Sequence, residues 1–273
     1  MLPKTERLTA HTVDDLVYYS FPSMDKFGVA NGISTRLGGV SEGVFASMNL
    51  SYSRGDDPAR VDENFARICH AMGVPAEGVV MSAQEHHVNL RPVTAADCGK
   101  GRKVPGFSDV DGLLTNEPGV VLCTLYADCV PLLFFDPTRR VVAASHAGWR
   151  GTVAEIGRLT VEKMKEEYGS SPADILVGIA PSIGRCCFEV DAPVIEEFEK
   201  LSVFDEGCFD PVSPDKKRID LWEVNRRILL SAGVRPEHIT VTDLCTRCHP
   251  DLFWSHRFTG PDRGSLAAFI ALR

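Results

Sequence analysis

The chain has 273 residues, 44% hydrophobic and 24% charged, with a mean hydropathy of −0.04, a composition that excludes disordered, collagenous and coiled-coil proteins. Twenty-nine Lys and Arg against 37 Asp and Glu leave a net charge of −8. That balance offers no basic field for nucleic acid.

At the N-terminus, Pro3 and mixed charges interrupt any apolar run, so no secretory signal is expected. From Asp57-Pro58, the residues Val61, Phe65, Ile68, Cys69 and Met72 recur at helical spacing until Gly73. Acidic N-cap, Pro at N1 and a glycine stop predict an amphipathic helix. A second helix is predicted over Thr152–Tyr168, stopped by Gly169, and weaker ones over Glu196–Leu201 and Leu221–Ala232.

Between them lie short apolar runs rich in β-branched residues: 79–81, 120–125, 132–135, 141–144, 175–179, 239–241 and 266–272. They read as buried strands. Asp136–Arg140 reads as a hairpin connection, so the sheet is not purely parallel. No repeat or linker divides the chain, and the expectation is one α+β domain over residues 1–273. The apolar runs fall far short of the roughly 18 residues a membrane span needs. Nine cysteines, an odd number, suggest free thiols in a reducing compartment, and the expected location is the cytoplasm.

Three polar segments follow predicted strands: Gln84–His87, Ala127-Asp128-Cys129 and Ser145–Gly151. Two imidazoles and a thiolate, from His86, His146 and Cys129, suit Zn2+, and three protein ligands leave a position for water or substrate. The spacing matches no short metal motif, so a buried cysteine with two hydrogen-bonded histidines stays open. A nucleophilic Cys129 with His146 as base and Asp128 as its orienter is equally compatible. Asp128 is also readable as a strand-end residue bonding backbone amides.

The segment from His146 to Thr152 joins a strand to a helix, where glycines and free N–H groups admit an anion and Arg150 adds a cation. Arg36, within Thr35–Ser41, is a second candidate anion holder. Cys245-Thr246-Arg247-Cys248-His249 fits a haem-attachment pattern and half a zinc ribbon. No second C-x-x-C accompanies it, and no metal is expected there. Adjacent Cys186 and Cys187 are expected to pack as small apolar residues.

Read in order, Ser34–Ser41, Met48-Asn49-Leu50, Gln84-Glu85-His86, Asp111-Gly112-Leu113, Ala127-Asp128-Cys129, His146–Gly151, Gly178–Gly184, Cys187–Val190 and Asp243–Thr246 resemble the YfiH-type laccase-domain family. The family is described both as polyphenol oxidases and as purine nucleoside phosphorylases with adenosine deaminase activity. The resemblance implies a mixed α/β sandwich and a zinc site at His86, Cys129 and His146, with Cu2+ as an alternative ion. It implies that purine nucleosides and phosphate are the substrates, with Asp128, Cys129 and Arg150 as catalytic candidates and Arg36, Asn49 and Arg150 on the substrate side. It gives Cys245 and Cys248 no metal role.

Two positions depart from the family pattern. His87 stands where a small Gly is usual, which leaves it as an alternative ligand. Gly264-Ser265 stands for a Gly-Arg pair, with Arg257 or Arg263 as stand-ins for the missing cation. The competing readings are a copper polyphenol oxidase, a metal-free cysteine hydrolase and a non-catalytic purine-binding protein.

Overall fold

Successive residues of a strand point to opposite faces, and this alternation sorts the core into three clusters. In the strand Val121–Tyr126, Val121 and Cys123 pack in one cluster and Leu122 in another; in Val130–Asp136, Leu132 and Phe134 part from Leu133 and Phe135 in the same way. Both strands are therefore apolar on both faces, as strands covered on each side must be. The computed structural model describes residues 2–273.

Two six-stranded sheets stack face to face. The first runs in the order Thr9–Val13, Leu16–Ser20, Ala30–Ser34, Leu266–Ala271, Val121–Tyr126, Val79–Val80. The second runs Ile239–Val241, Leu176–Ile179, Val130–Asp136, Val141–Ala147, Gly112–Thr115, Leu90–Pro92. Both mix parallel with antiparallel pairs. Tyr19, Ile33, Leu122 and Ile270 of the first sheet meet Leu113, Leu133, Phe135 and Val142 of the second in the central core.

Helix Pro58–Met72 covers the outer face of the first sheet through Val61, Phe65 and Ile68. Its boundaries follow the predicted signals: the Asp57 carboxylate accepts from the Ala59 N–H at 2.9 Å and Gly73 closes the helix at φ 65°. Helices Ile156–Tyr168, Ala192–Phe198 and Leu221–Ser231 cover the second sheet. A three-stranded sheet of Glu189–Asp191, Lys216–Ile219 and Phe209–Ser213 completes the structure. This is the expected α+β, mixed-sheet sandwich.

Some boundaries differ from expectation. The helix expected over 152–168 is two helices, Trp149–Val153 and Ile156–Tyr168, because Glu155 adopts φ 56° and breaks the run. Thr152, in the first piece, is held by Asn225 Nδ2 at 3.0 Å. The weak helix at 196–201 is placed earlier, at Ala192–Phe198, where Pro193 occupies the first turn. Among the described residues, no helix is long and apolar enough to cross a membrane.

Gly178, in the strand Leu176–Ile179, lies against the buried Phe21 ring, and a Cβ there would sit 2.4 Å from Phe21 Cε2. Gly178→Ala is expected to lower stability by about 1–3 kcal/mol, the usual cost of overpacking a closed core; urea denaturation measures it.

Candidate metal centre

The register of one hairpin sets the site. Val130 pairs with Ala147 and Pro131 with His146, so Cys129, one residue before the first strand, lies beside the end of the second. On the other side Gly112 pairs with Ser145, which sets Asp111 next to His146; the His146 N–H donates to the Asp111 carbonyl at 2.8 Å.

His86 reaches the same place from an irregular segment. Gln84 clips that segment to the strand Val121–Tyr126, accepting from Leu125 N–H at 2.7 Å and donating to its carbonyl at 2.9 Å. The Asp111 carboxylate accepts from the backbone N–H groups of Glu85, His86 and His87, each at 3.0 Å. Pinned at both ends, the chain turns through His86 at φ 65°.

The ligand atoms of His86, Cys129 and His146 lie within 4.8 Å of one another. Cys129 Sγ is 3.9 Å from His86 Nε2, and the two imidazole rings stand edge to face at 85°. His146 Nδ1 is 2.9 Å from Asp111 Oδ1. With its proton directed at that carboxylate, His146 offers Nε2 to a metal, the usual arrangement of a ligating histidine. A Cβ on Gly148 would come within 3.0 Å of His86 Cδ2 and 3.1 Å of Cys129 Sγ. Glycine thus keeps open the space that the three donors face, and two imidazole nitrogens with one thiolate sulfur, a borderline-soft set, fit a single Zn2+ or Cu2+.

Electrostatics couple the donors. Burial opposes both charges, yet the neighbouring imidazoles pull the Cys129 thiol down to about 6. In turn Cys129 and Asp111 overcome the burial of His146 and push it up to about 9. Without an ion the pair is therefore thiolate and imidazolium. Burial tends to raise the Asp111 pKa, but His146 and the backbone donors outweigh it and hold the carboxyl below its ordinary value.

The donors line a cavity of about 500 Å3 together with Ser51, Arg54, Ser82, His256 and Arg263. Arg263 is 5% exposed and spends Nη1 on the Gly264 carbonyl at 2.9 Å. Its Nε has no partner, and neither has Ser82 Oγ. Both atoms belong to residues that line the cavity, and both are buried, where polar groups usually find partners.

Several expected residues stand elsewhere. Arg36 gives Nε and Nη2 to the Ala46 carbonyl and Nη1 to that of Pro250, and stacks 3.9 Å from the Trp254 ring. Three of its five N–H groups are thus engaged by backbone carbonyls, and Arg36 does not line the cavity. Asn49 is fully buried, and its amide joins Ser51, Asp56 and Ser265. It shapes the wall from behind and has no face to offer a substrate. Arg150 is exposed and folds over Trp149 at 4.2 Å, outside the cavity lining.

Asp128 accepts from Thr246 Oγ1 at 2.6 Å and from the Arg257 N–H at 2.7 Å. Both oxygens of its carboxylate are thus engaged. His87 turns away to pair with Asp109 and is no alternative ligand in this geometry. Asp111, Arg54, Ser82 and His256 escaped sequence reasoning. For Asp111 the signal was present, an acidic residue at the start of a buried strand.

A model of the family described as multi-copper polyphenol oxidoreductase laccase matches residues 30–273. The chain is 37% identical over 247 residues to the purine nucleoside phosphorylase YlmD of Bacillus subtilis (strain 168), across 90% of this chain and 89% of that protein. It is 34% identical over 238 residues to the adenosine deaminase RL5 of an unknown prokaryotic organism, across 85% of this chain and 89% of that one. The crystal structure of YlmD from Geobacillus stearothermophilus superposes with a TM-score of 0.92 at 36% identity, covering 98% of this chain and 99% of that chain.

Metal must displace the proton from His146, so affinity is expected to rise with pH between about 6 and 9, the range set by the thiolate–imidazolium pair. Calorimetry of Zn2+ binding in buffers of different ionisation enthalpy, repeated across that range, measures the released proton directly.

Proposed function

The chain belongs to the multi-copper polyphenol oxidoreductase laccase family, and from that membership we propose that it is a zinc-dependent purine nucleoside phosphorylase that also deaminates adenosine. Its substrates are then adenosine, inosine, guanosine and methylthioadenosine, split by phosphate into base and ribose-1-phosphate or its methylthio analogue. One relative named a purine nucleoside phosphorylase and another named an adenosine deaminase support the two reaction classes. The observation that carries the reading is one cavity lined both by a two-histidine, one-cysteine donor set and by a buried arginine whose Nε is unpartnered.

In this scheme His86, Cys129 and His146 hold Zn2+, which supplies Lewis acidity and, for deamination, a water acidic enough to act near neutral pH. Asp111 keeps the His146 proton on Nδ1 and so keeps Nε2 directed at the centre. For phosphorolysis an anion must be held against the anomeric carbon while positive charge develops there. Arg263, with Arg54 beside it in the cavity wall, takes the role expected of Arg36 and Arg150. Burial and the nearby Arg54 lower the Arg263 pKa only to about 10, so it is a cation at neutral pH.

The same cluster favours a second reading. Cys129, His146 and Asp111 have the order of a nucleophile, its base and the base's orienter, which suits a metal-free cysteine hydrolase. His86 beside the sulfur and the cradle at Gly148 favour the metal. Multicopper oxidation is less well served: the chain has eight histidines and no His-x-His pair, and the donor set fits one ion.

Incubation with adenosine, with and without phosphate, followed by chromatography of the products, tests the proposal. Adenine with ribose-1-phosphate is expected only with phosphate, and inosine without it, both lost in Cys129→Ala. Arg263→Gln is expected to slow phosphorolysis about tenfold to a hundredfold, the usual range for losing one charge-assisted hydrogen bond, and to affect deamination less. Intact adenosine in every wild-type reaction contradicts the proposal.

A further inference from the structure

Four cysteines meet at the edge of the second sheet. Strands Leu176–Ile179 and Ile239–Val241 are parallel neighbours, so the segments that follow them leave from the same end. The pairing extends beyond the strands through a bridge between Ser182 and Cys245, where Thr246 N–H donates to the Ser182 carbonyl at 3.0 Å. One segment then carries Cys186 and Cys187 and the other Cys245 and Cys248. Gly184 permits the approach: a Cβ there would lie 3.3 Å from Cys245 Cβ and 3.4 Å from Cys186 Sγ.

All four sulfur atoms lie within 4.8 Å of one another. Cys248 Sγ is 3.5 Å from both Cys186 Sγ and Cys187 Sγ, too far for a disulfide, and all four cysteines are free. Tetrahedral coordination with Zn–S bonds of about 2.3 Å places the sulfurs about 3.8 Å apart. A multi-iron cluster, with its inorganic sulfides between the thiolates, would spread them farther. Cys186 and Cys248 are exposed, which corrects the expectation of apolar packing for Cys186 and leaves an entry path for an ion.

The surroundings suit a centre with excess negative charge. Gly184 N–H donates to Cys245 Sγ at 3.2 Å, and Arg247 Nη1 lies 3.6 Å from Cys187 Sγ. Such donors to the ligating sulfurs are the outer partners that metal centres recruit.

We propose that Cys186, Cys187, Cys245 and Cys248 bind a single Zn2+ in a closed tetrathiolate site, separate from the His86, Cys129 and His146 centre. With no ligand position left open, its role is structural. The clip also bears on the catalytic end of the fold. Thr246, between two of its ligands, donates to Asp128 beside Cys129, and the Cys187 carbonyl accepts from Arg257 Nη1 at 3.3 Å.

The test uses the full chain carrying His86→Ala and Cys129→Ala, expressed with zinc and purified without chelator. Metal analysis is expected to find one Zn2+ per chain, with zinc X-ray absorption showing four sulfur neighbours at about 2.3 Å and no nitrogen. Adding Cys186→Ser and Cys248→Ser is expected to abolish this signal and lower the melting temperature. The proposal is overturned if the double variant holds no zinc while its four thiols react freely under native conditions. It is equally overturned if disulfide-linked peptides join these cysteines, or if iron occupies the sulfur shell. Because the other centre is removed in this variant, the outcome is independent of the nucleoside chemistry.

Discussion

One buried carboxylate organises the site. Asp111 is fully enclosed and accepts four hydrogen bonds, from His146 Nδ1 and from the backbone of Glu85, His86 and His87. A charge in that position is tolerated only because its oxygens are so fully engaged. The same four bonds bring two histidines from distant parts of the chain to one point and decide which nitrogen of His146 carries the proton. The cost of burying Asp111 is thus offset by interactions that also build the donor set. Alanine there would leave three backbone N–H groups and an imidazole without their partner.

The sheet supplies the other constraint. His146 sits at the end of its strand, two residues before a glycine, and Cys129 just before the paired strand, so hairpin register alone holds them side by side. Gly148 then begins the helix that places Trp149 near Ile183, Phe188 and Leu221 without intruding on the donors. At the same end of the second sheet, two parallel strands deliver the four cysteines, and Thr246 connects them to Asp128. Both candidate centres therefore depend on strand ends, where a rigid layer hands side chains to irregular backbone.

The sequence was legible where local chemistry and tertiary demand agree. Helix Pro58–Met72 shows it, with Asp57 as cap, proline in the first turn and Gly73 as stop. Strands buried on both faces were visible as short apolar runs. The early strands Leu16–Ser20 and Ala30–Ser34 were not, because Tyr, Ser and Asn dilute their pattern although every residue is buried. Among site residues, the histidines and Cys129 were found by donor chemistry. Arg36 and Arg150 were drawn in by their nearness to glycine-rich motifs and Asn49 by the family resemblance, and only geometry reveals that carbonyls, a tryptophan face and an amide network engage them. The four cysteines were illegible as a set because a parallel strand pair, and no local spacing, joins them.

In the proposed centre His86, Cys129 and His146 are ligands to one ion, with Asp111 orienting the site. Anomalous X-ray diffraction at the zinc edge, on crystals of protein purified without chelator, tests this most directly. A peak is expected about 2.0–2.3 Å from His86 Nε2, Cys129 Sγ and His146 Nε2. A structure at the same edge with no peak there, and Cys129 Sγ hydrogen-bonded directly to His146, would contradict it and leave a cysteine–histidine pair as the working centre.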